Sequence, residues 1–223
     1  MNILLFGATG MVGDGVLRWL LASPQVNRVA AVARKPLAVQ HTKLETVIEP
    51  DMFRLQHLDA LRNFDACFFC LGVSSVGMSA EAYWHVTYDL TTAVARQLLP
   101  GNPRMVFEYI SGEGTDANSR QSWAQVKAET EQALFKMGFR DAYALRPGLI
   151  QPMRGTVSRL RSLRWMYALT APLYPFLQKA LGRWVTSTDL LAAAMLQLAI
   201  AGSEKKTLNT AELNALAAKA AGR

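Results

Sequence analysis

The chain has 223 residues, 51% of them apolar, and a formal net charge of +7, enough for one buried core and a single domain over residues 1–223. The most apolar stretch, 165–177 (WMYALTAPLYPFL), is interrupted by two prolines and falls short of the roughly 18 residues of a spanning helix. Two cysteines, Cys67 and Cys70, and an N-terminus (MNILLFGATG) without the basic flank, long apolar run and cleavage site of a secretory signal predict a reduced, cytoplasmic protein.

Residues 2–6 (NILLF) form a short apolar run that ends in glycine, and 11–22 carry apolar residues at helical spacing, so the chain opens as strand, tight turn and helix. Strands follow at 28–33 (RVAAVA), more weakly at 43–48, and strongly at 65–71 (DACFFCL). A helix over 81–99 leads to a strand at 104–110, a helix at 121–137 and a strand at 141–146. Near-continuous apolar strands alternating with helices predict an α/β fold with a parallel sheet covered on both faces. After Pro147 the pattern changes to a Pro- and Arg-containing segment, an apolar helical stretch, a helix at 188–201 and an Ala-rich helix at 210–221.

The charge is uneven. No acidic residue lies between Asp141 and Asp189, whereas Arg146, Arg154, Arg159, Arg161, Arg164, Lys179 and Arg183 do. A local positive field suits an anionic ligand, an acidic protein partner or an anionic membrane surface, or it is a solvated face without a dedicated partner. No nucleic-acid motif accompanies it, so no nucleic-acid partner is expected.

Gly7, Gly10 and Gly13 stand in GATGMVG, between the first strand and the first helix. Glycine there permits the tight turn, close approach of backbone to a pyrophosphate, and contact of helix with strand, while the amide N–H groups of the helix start face the phosphate charge. The end of the second strand selects the nucleotide: a carboxylate binds a ribose 2′-hydroxyl, an arginine a 2′-phosphate. Arg34 and Lys35 stand there without an acid, which predicts NADP(H).

These motifs, with CLGVSSVGMSAEAYWHVTYDLT, YISGEGTDANSRQSWAQVKAETEQAL and ALRPGLI, give a chain that resembles the atypical short-chain dehydrogenase/reductases over about residues 1–200. Within them it looks closest to the NAD(P)H-binding, NmrA-like branch that includes the Tat-interacting-protein oxidoreductases. The resemblance implies a Rossmann-type doubly wound parallel sheet with a small, mostly helical C-terminal substrate segment, 151–187 serving as pocket or lid. It further implies that Gly7, Thr9, Gly10, Met11, Val12 and Gly13 hold the pyrophosphate and Arg34 and Lys35 the 2′-phosphate. Leu71 and Gly72 would border the adenine-side ribose, Lys127 would reach the nicotinamide ribose, and Pro147, Gly148, Leu149 and Ile150 would lie beside the nicotinamide.

In the enzymes it resembles, a tyrosine four residues before the lysine is the general acid. That spacing puts both side chains on one helix face, and the ammonium lowers a phenol pKa that starts near 10. Here the position is Trp123, whose indole N–H can orient a carbonyl but cannot relay a proton. Trp123 is either a packed aromatic or a flat lid over the nicotinamide. Ser111 is either a catalytic hydrogen-bond donor or a strand-end turn residue, and a second serine common in the relatives is replaced by Gly112.

Cys67 and Cys70 read C-x-x-C, but positions three apart on a strand point to opposite faces, so they are expected to be core residues. His41, His57 and His85 have no ligand spacing, and no metal is expected. Tyr88 or His85, beside Tyr83 and Trp84, is a substitute acid or a packing residue. Trp165, Tyr167, Tyr174, Phe176 and Trp184 among the arginines form a pocket for an amphipathic anion, an interaction surface or a membrane-facing patch. Two functions follow: an NADP(H)-dependent oxidoreductase acting on a carbonyl or quinone-like small molecule, or a non-catalytic NADP(H)-binding sensor or scaffold that engages a protein partner.

Overall fold

In the computed structural model of the protein, which describes residues 1–156 and 183–221, the apolar runs lie side by side as parallel strands. β1 (Asn2–Phe6) pairs with β2 (Arg28–Ala33) on one side and with β4 (Ala66–Phe69) on the other, Leu4 facing Ala30 and Leu5 facing Phe68. β3 (Leu44–Ile48) closes one edge; β5 (Val106–Ile110), β6 (Asp141–Arg146) and β9 (Thr207–Asn209) extend the other, giving the seven-stranded order β3-β2-β1-β4-β5-β6-β9. The chain winds outward from β1 to β3, then returns to β4 and winds the opposite way. The carboxyl ends of β1 and β4 therefore flank the switch point where such sheets open a crevice.

Alternation along the strands builds two cores. Ile3, Leu5 and Phe68 meet Val16, Leu17 and Leu20 of α1 (Met11–Ala22), Leu191 and Met195 of α5 (Thr188–Ala201), and Leu213 of α6 (Thr210–Ala221). Leu4, Phe6, Phe69 and Phe107 meet Val94 and Leu98 of α3 (Leu90–Leu98) and Leu134 of α4 (Ser122–Phe135). Each of these buried side chains stabilises the fold by about 1.5–3 kcal/mol. Cys67 belongs to the second core and Cys70 packs on the first, and both thiols are free.

The expected helix over 81–99 is interrupted: α2 (Ala80–Trp84) passes through a π-helical turn at His85–Asp89 before α3 begins. Three-residue strands carry no periodicity to read, and β9, β7 (Leu149–Gln151) and β8 (Val185–Ser187) are additions to the elements expected from sequence. β7 and β8 pair in parallel, Leu149 with Val185 and Gln151 with Ser187. Beyond this ladder Met153 N–H donates to Thr188 Oγ1 at 3.1 Å and Arg154 pairs with Asp189 at 2.9 Å. The apolar helical stretch expected here, Arg159, Arg161, Arg164, Lys179, Trp165, Tyr167, Tyr174, Phe176 and most of the 151–187 segment lie outside the described residues. Among the described residues no helix is long and apolar enough to cross a membrane.

Candidate functional site

The glycine turn sits at the switch point and is sterically closed. Gly7 has φ of +87°, and a Cβ there would lie 2.6 Å from the carbonyl of Cys70 at the end of β4; one at Gly13 would lie 2.1 Å from the Gly7 carbonyl oxygen. Gly10 caps α1 and offers no side-chain acceptor of its own to the first amide N–H groups of the helix. This backbone cradle suits an anion. Thr9 is exposed, whereas Met11 and Val12 pack partly against the α1 core. Arg34 and Lys35 follow β2, both exposed and without an ion-pair partner among the described residues, and Leu71 and Gly72 follow β4, Gly72 exposed with open space above it.

The opposite bank is α4 and the end of β5. Lys127 donates to the Ser111 carbonyl at 3.1 Å and lies 5.3 Å from the centroid of the buried Tyr109 ring. Burial pulls its pKa down to about 8, and the charge of Glu131 opposes that fall. Trp123, one turn earlier, donates its indole N–H to Gln121 Oε1 at 2.5 Å, and a Cβ at Gly114 would lie 3.4 Å from its ring edge, so the indole lies beside the loop between β5 and α4. The Ser111 hydroxyl is buried and shares a hydrogen bond with Thr115 Oγ1 at 3.1 Å, the arrangement of a strand-end turn. A side chain at Gly112 would meet nothing nearer than Lys127 Cε at 4.0 Å.

Burial pushes both Tyr109 and Tyr83 above the ordinary tyrosine range. Tyr88 stacks on Trp84, and the His85 ring lies between Phe53 and Asp89. Of the PGLI segment, Pro147 and Ile150 are buried, the Gly148 N–H is taken by Thr210 Oγ1, and Leu149 exposes its side chain.

The basic stretch is less positive than its sequence. Arg146 holds Glu131 through two bonds, Nε to Oε1 at 2.9 Å and Nη2 to Oε2 at 2.6 Å, and Arg154 is paired with Asp189. Folding brings in carboxylates from α4 and α5 that a linear reading counts elsewhere. Arg183 lies over the Trp184 ring at 5.5 Å. Glu131 and its clasp by Arg146 escaped the sequence reading; the available signal was its place one helical turn beyond Lys127.

No family model matches the chain. It is 30% identical over 224 residues to the mitochondrial protein Fmp52 of Aspergillus clavatus, an alignment that covers 92% of both chains. The chain belongs to the Fmp52 family. Fmp52 proteins of other Aspergillus species are likewise named mitochondrial, which overturns the cytoplasmic assignment. Scarce cysteine separates reducing from oxidising compartments and does not tell one reducing compartment from another. The broader expectation, a fold of the short-chain dehydrogenase type, holds, with Fmp52 in place of the NmrA-like and Tat-interacting branch. The reductase domain of PhqB from Penicillium fellutanum is similar to the Fmp52-family chain at TM-score 0.67 and 18% identity, covering 94% of this chain and 66% of that one. WbmF of Bordetella bronchiseptica, solved in complex with NAD+, is similar at TM-score 0.63 and 16% identity, covering 98% and 77%.

Proposed function

We infer that the chain is an NADP(H)-dependent oxidoreductase that acts on a carbonyl or quinone-like small molecule. The observation that carries this reading is the glycine turn, closed so tightly that added Cβ atoms at Gly7 and Gly13 collide with backbone, beside two unpaired cations at the end of β2. The NAD+ in the similar structure of WbmF supports a nicotinamide dinucleotide in general, and Arg34 with Lys35 favours the 2′-phosphorylated form. When bound, the coenzyme supplies or accepts the hydride. Gly7, Thr9, Gly10, Met11, Val12 and Gly13 would hold its pyrophosphate, and Leu71 and Gly72 would border the adenine-side ribose. Lys127 would position the nicotinamide ribose from α4, and Leu149 would present its side chain to the ring. The proton would come from water, the ribose hydroxyl or a nearby tyrosine, since Trp123 gives its N–H to Gln121 and cannot ionise.

The same engagement of Trp123, together with the Ser111–Thr115 hydrogen bond, favours a second reading in which the chain binds NADP(H) without turnover and serves as a sensor for a protein partner. Titration of the chain with NADPH and NADH, followed by turnover assays on a carbonyl and quinone panel with the natural chain and Trp123→Tyr, tests both. Turnover by the natural chain removes the sensor reading. Binding with turnover in the Trp123→Tyr chain alone removes the enzyme reading, and no binding of either coenzyme removes both.

A further inference from the structure

Glu131 is buried to 1% exposure on α4, one turn beyond Lys127, and is held from the other side by the two-pronged contact of Arg146. Arg146 is the last residue of β6, and Pro147, its neighbour, accepts the Glu113 N–H at 3.1 Å. Ser111, whose carbonyl receives the Lys127 ammonium, donates its own N–H to the Leu145 carbonyl at 2.7 Å. The carboxylate therefore stands where α4 meets the ends of β5 and β6, clasped by Arg146 and one helical turn from Lys127.

We propose that Glu131 is the positioning residue of Lys127: a buried carboxylate clasped by Arg146, it locks α4 to the end of β6 and, from one helical turn away, holds the Lys127 ammonium at the mouth of the cleft. The inference rests on the proposed function only for what the ammonium then touches, the coenzyme ribose. A half-buried amine over a phenol ring loses water on most sides, and a fixed carboxylate one helical turn away is the cheapest compensation the helix offers. Lysine has a single charged terminus and arginine a planar fork, so the fork takes the rigid bidentate contact while the ammonium stays free to turn toward the cleft.

The other charged or titratable groups around this junction are Tyr109 on β5, Tyr83 on α2, and Glu113 and Asp116 in the loop between β5 and α4. Tyr109 and Tyr83 are neutral near pH 8 because burial raises both, and Glu113 and Asp116 act on Arg146. Glu131 is the carboxylate that acts on Lys127.

The test uses the coenzyme-free chain. The Lys127 Cε resonance, assigned by its loss in Lys127→Met, is followed against pH by heteronuclear NMR in the natural chain and in Glu131→Gln, Glu131→Asp and Arg146→Lys. The natural midpoint is expected near 8. Glu131→Gln is expected to lower it by roughly one pH unit, while Arg146→Lys, which keeps both charges, moves it by less than about 0.3. A Glu131→Gln midpoint equal to the natural one overturns the proposal. If Glu131→Gln does not fold, Glu131→Asp decides: with the charge withdrawn by one methylene the midpoint falls by a smaller step, and no movement overturns the proposal. NADPH affinity against pH, read by fluorescence, then follows the same order of midpoints. Absence of NADPH binding removes the proposed function and leaves the NMR result to stand or fall alone.

Discussion

At the β1 turn the backbone has no room, for a methyl group at Gly13 would sit 2.1 Å from the Gly7 carbonyl oxygen, whereas across the cleft a side chain at Gly112 would find its nearest neighbour, Lys127 Cε, at 4.0 Å. The glycine-turn bank is fixed by sterics at Gly7 and Gly13, where a side chain would collide with backbone. The α4 bank can gain or lose chemical groups without disturbing the sheet, which is how a tryptophan and a glycine can stand where the enzymes it resembles carry a tyrosine and a serine. Under the proposed function, binding and proton transfer are physically separable: the first would rest on backbone geometry, the second on replaceable side chains.

The largest effect that could break this contrast is expected from Gly13→Ala, which forces the turn apart; a loss on the order of 3 kcal/mol in urea unfolding, with NADPH binding abolished, is the expected outcome. A stable, NADPH-binding Gly13→Ala chain would show that the turn is not rigid. On the other bank, Gly112→Ser combined with Trp123→Tyr is expected to leave urea stability within about 1.5 kcal/mol and to raise kcat on a responsive carbonyl by roughly 100-fold, the usual worth of a positioned acid. Replacing both Arg34 and Lys35 by alanine is expected to cost about 2–3 kcal/mol of NADPH affinity, a factor of 30–150, and to spare NADH, as measured by fluorescence titration.

Lys127→Met gives the smallest change and the one with a sign to check. The folded pKa of about 8 lies below the ordinary lysine value, so below pH 8 the ammonium is charged in both states and carries its full desolvation cost in the folded one. Stability of the natural chain therefore rises as pH climbs from 8 toward the ordinary value near 10.5, and the methionine variant should melt higher at pH 7 and lose that advantage over this window. NADPH affinity of the natural chain should fall as pH rises through 8, a dependence absent from Lys127→Met; thermal melts and titrations at several pH values check both.

The sheet was legible because β1, β2 and β5 are largely apolar runs, β1 ending at Gly7 and β5 at Ser111, signals carried by neighbours in sequence. The turn was legible for the same reason. What escaped depends on distant neighbours: the π-helical turn at His85–Asp89, stabilised through Asp89 by Trp84 and His85, and the union of Arg146 with a carboxylate 15 residues earlier on another element. Glu108 escaped too. It stands on a central strand, fully buried, with neither carboxylate oxygen hydrogen-bonded, so burial keeps its proton on far above the ordinary carboxylate range.

The ladder of β7 and β8, with Met153 tied to Thr188 and Arg154 to Asp189, fastens the chain on both sides of residues 155–184. Segments 35 residues apart in sequence are thereby held at one place by contacts among the described residues alone.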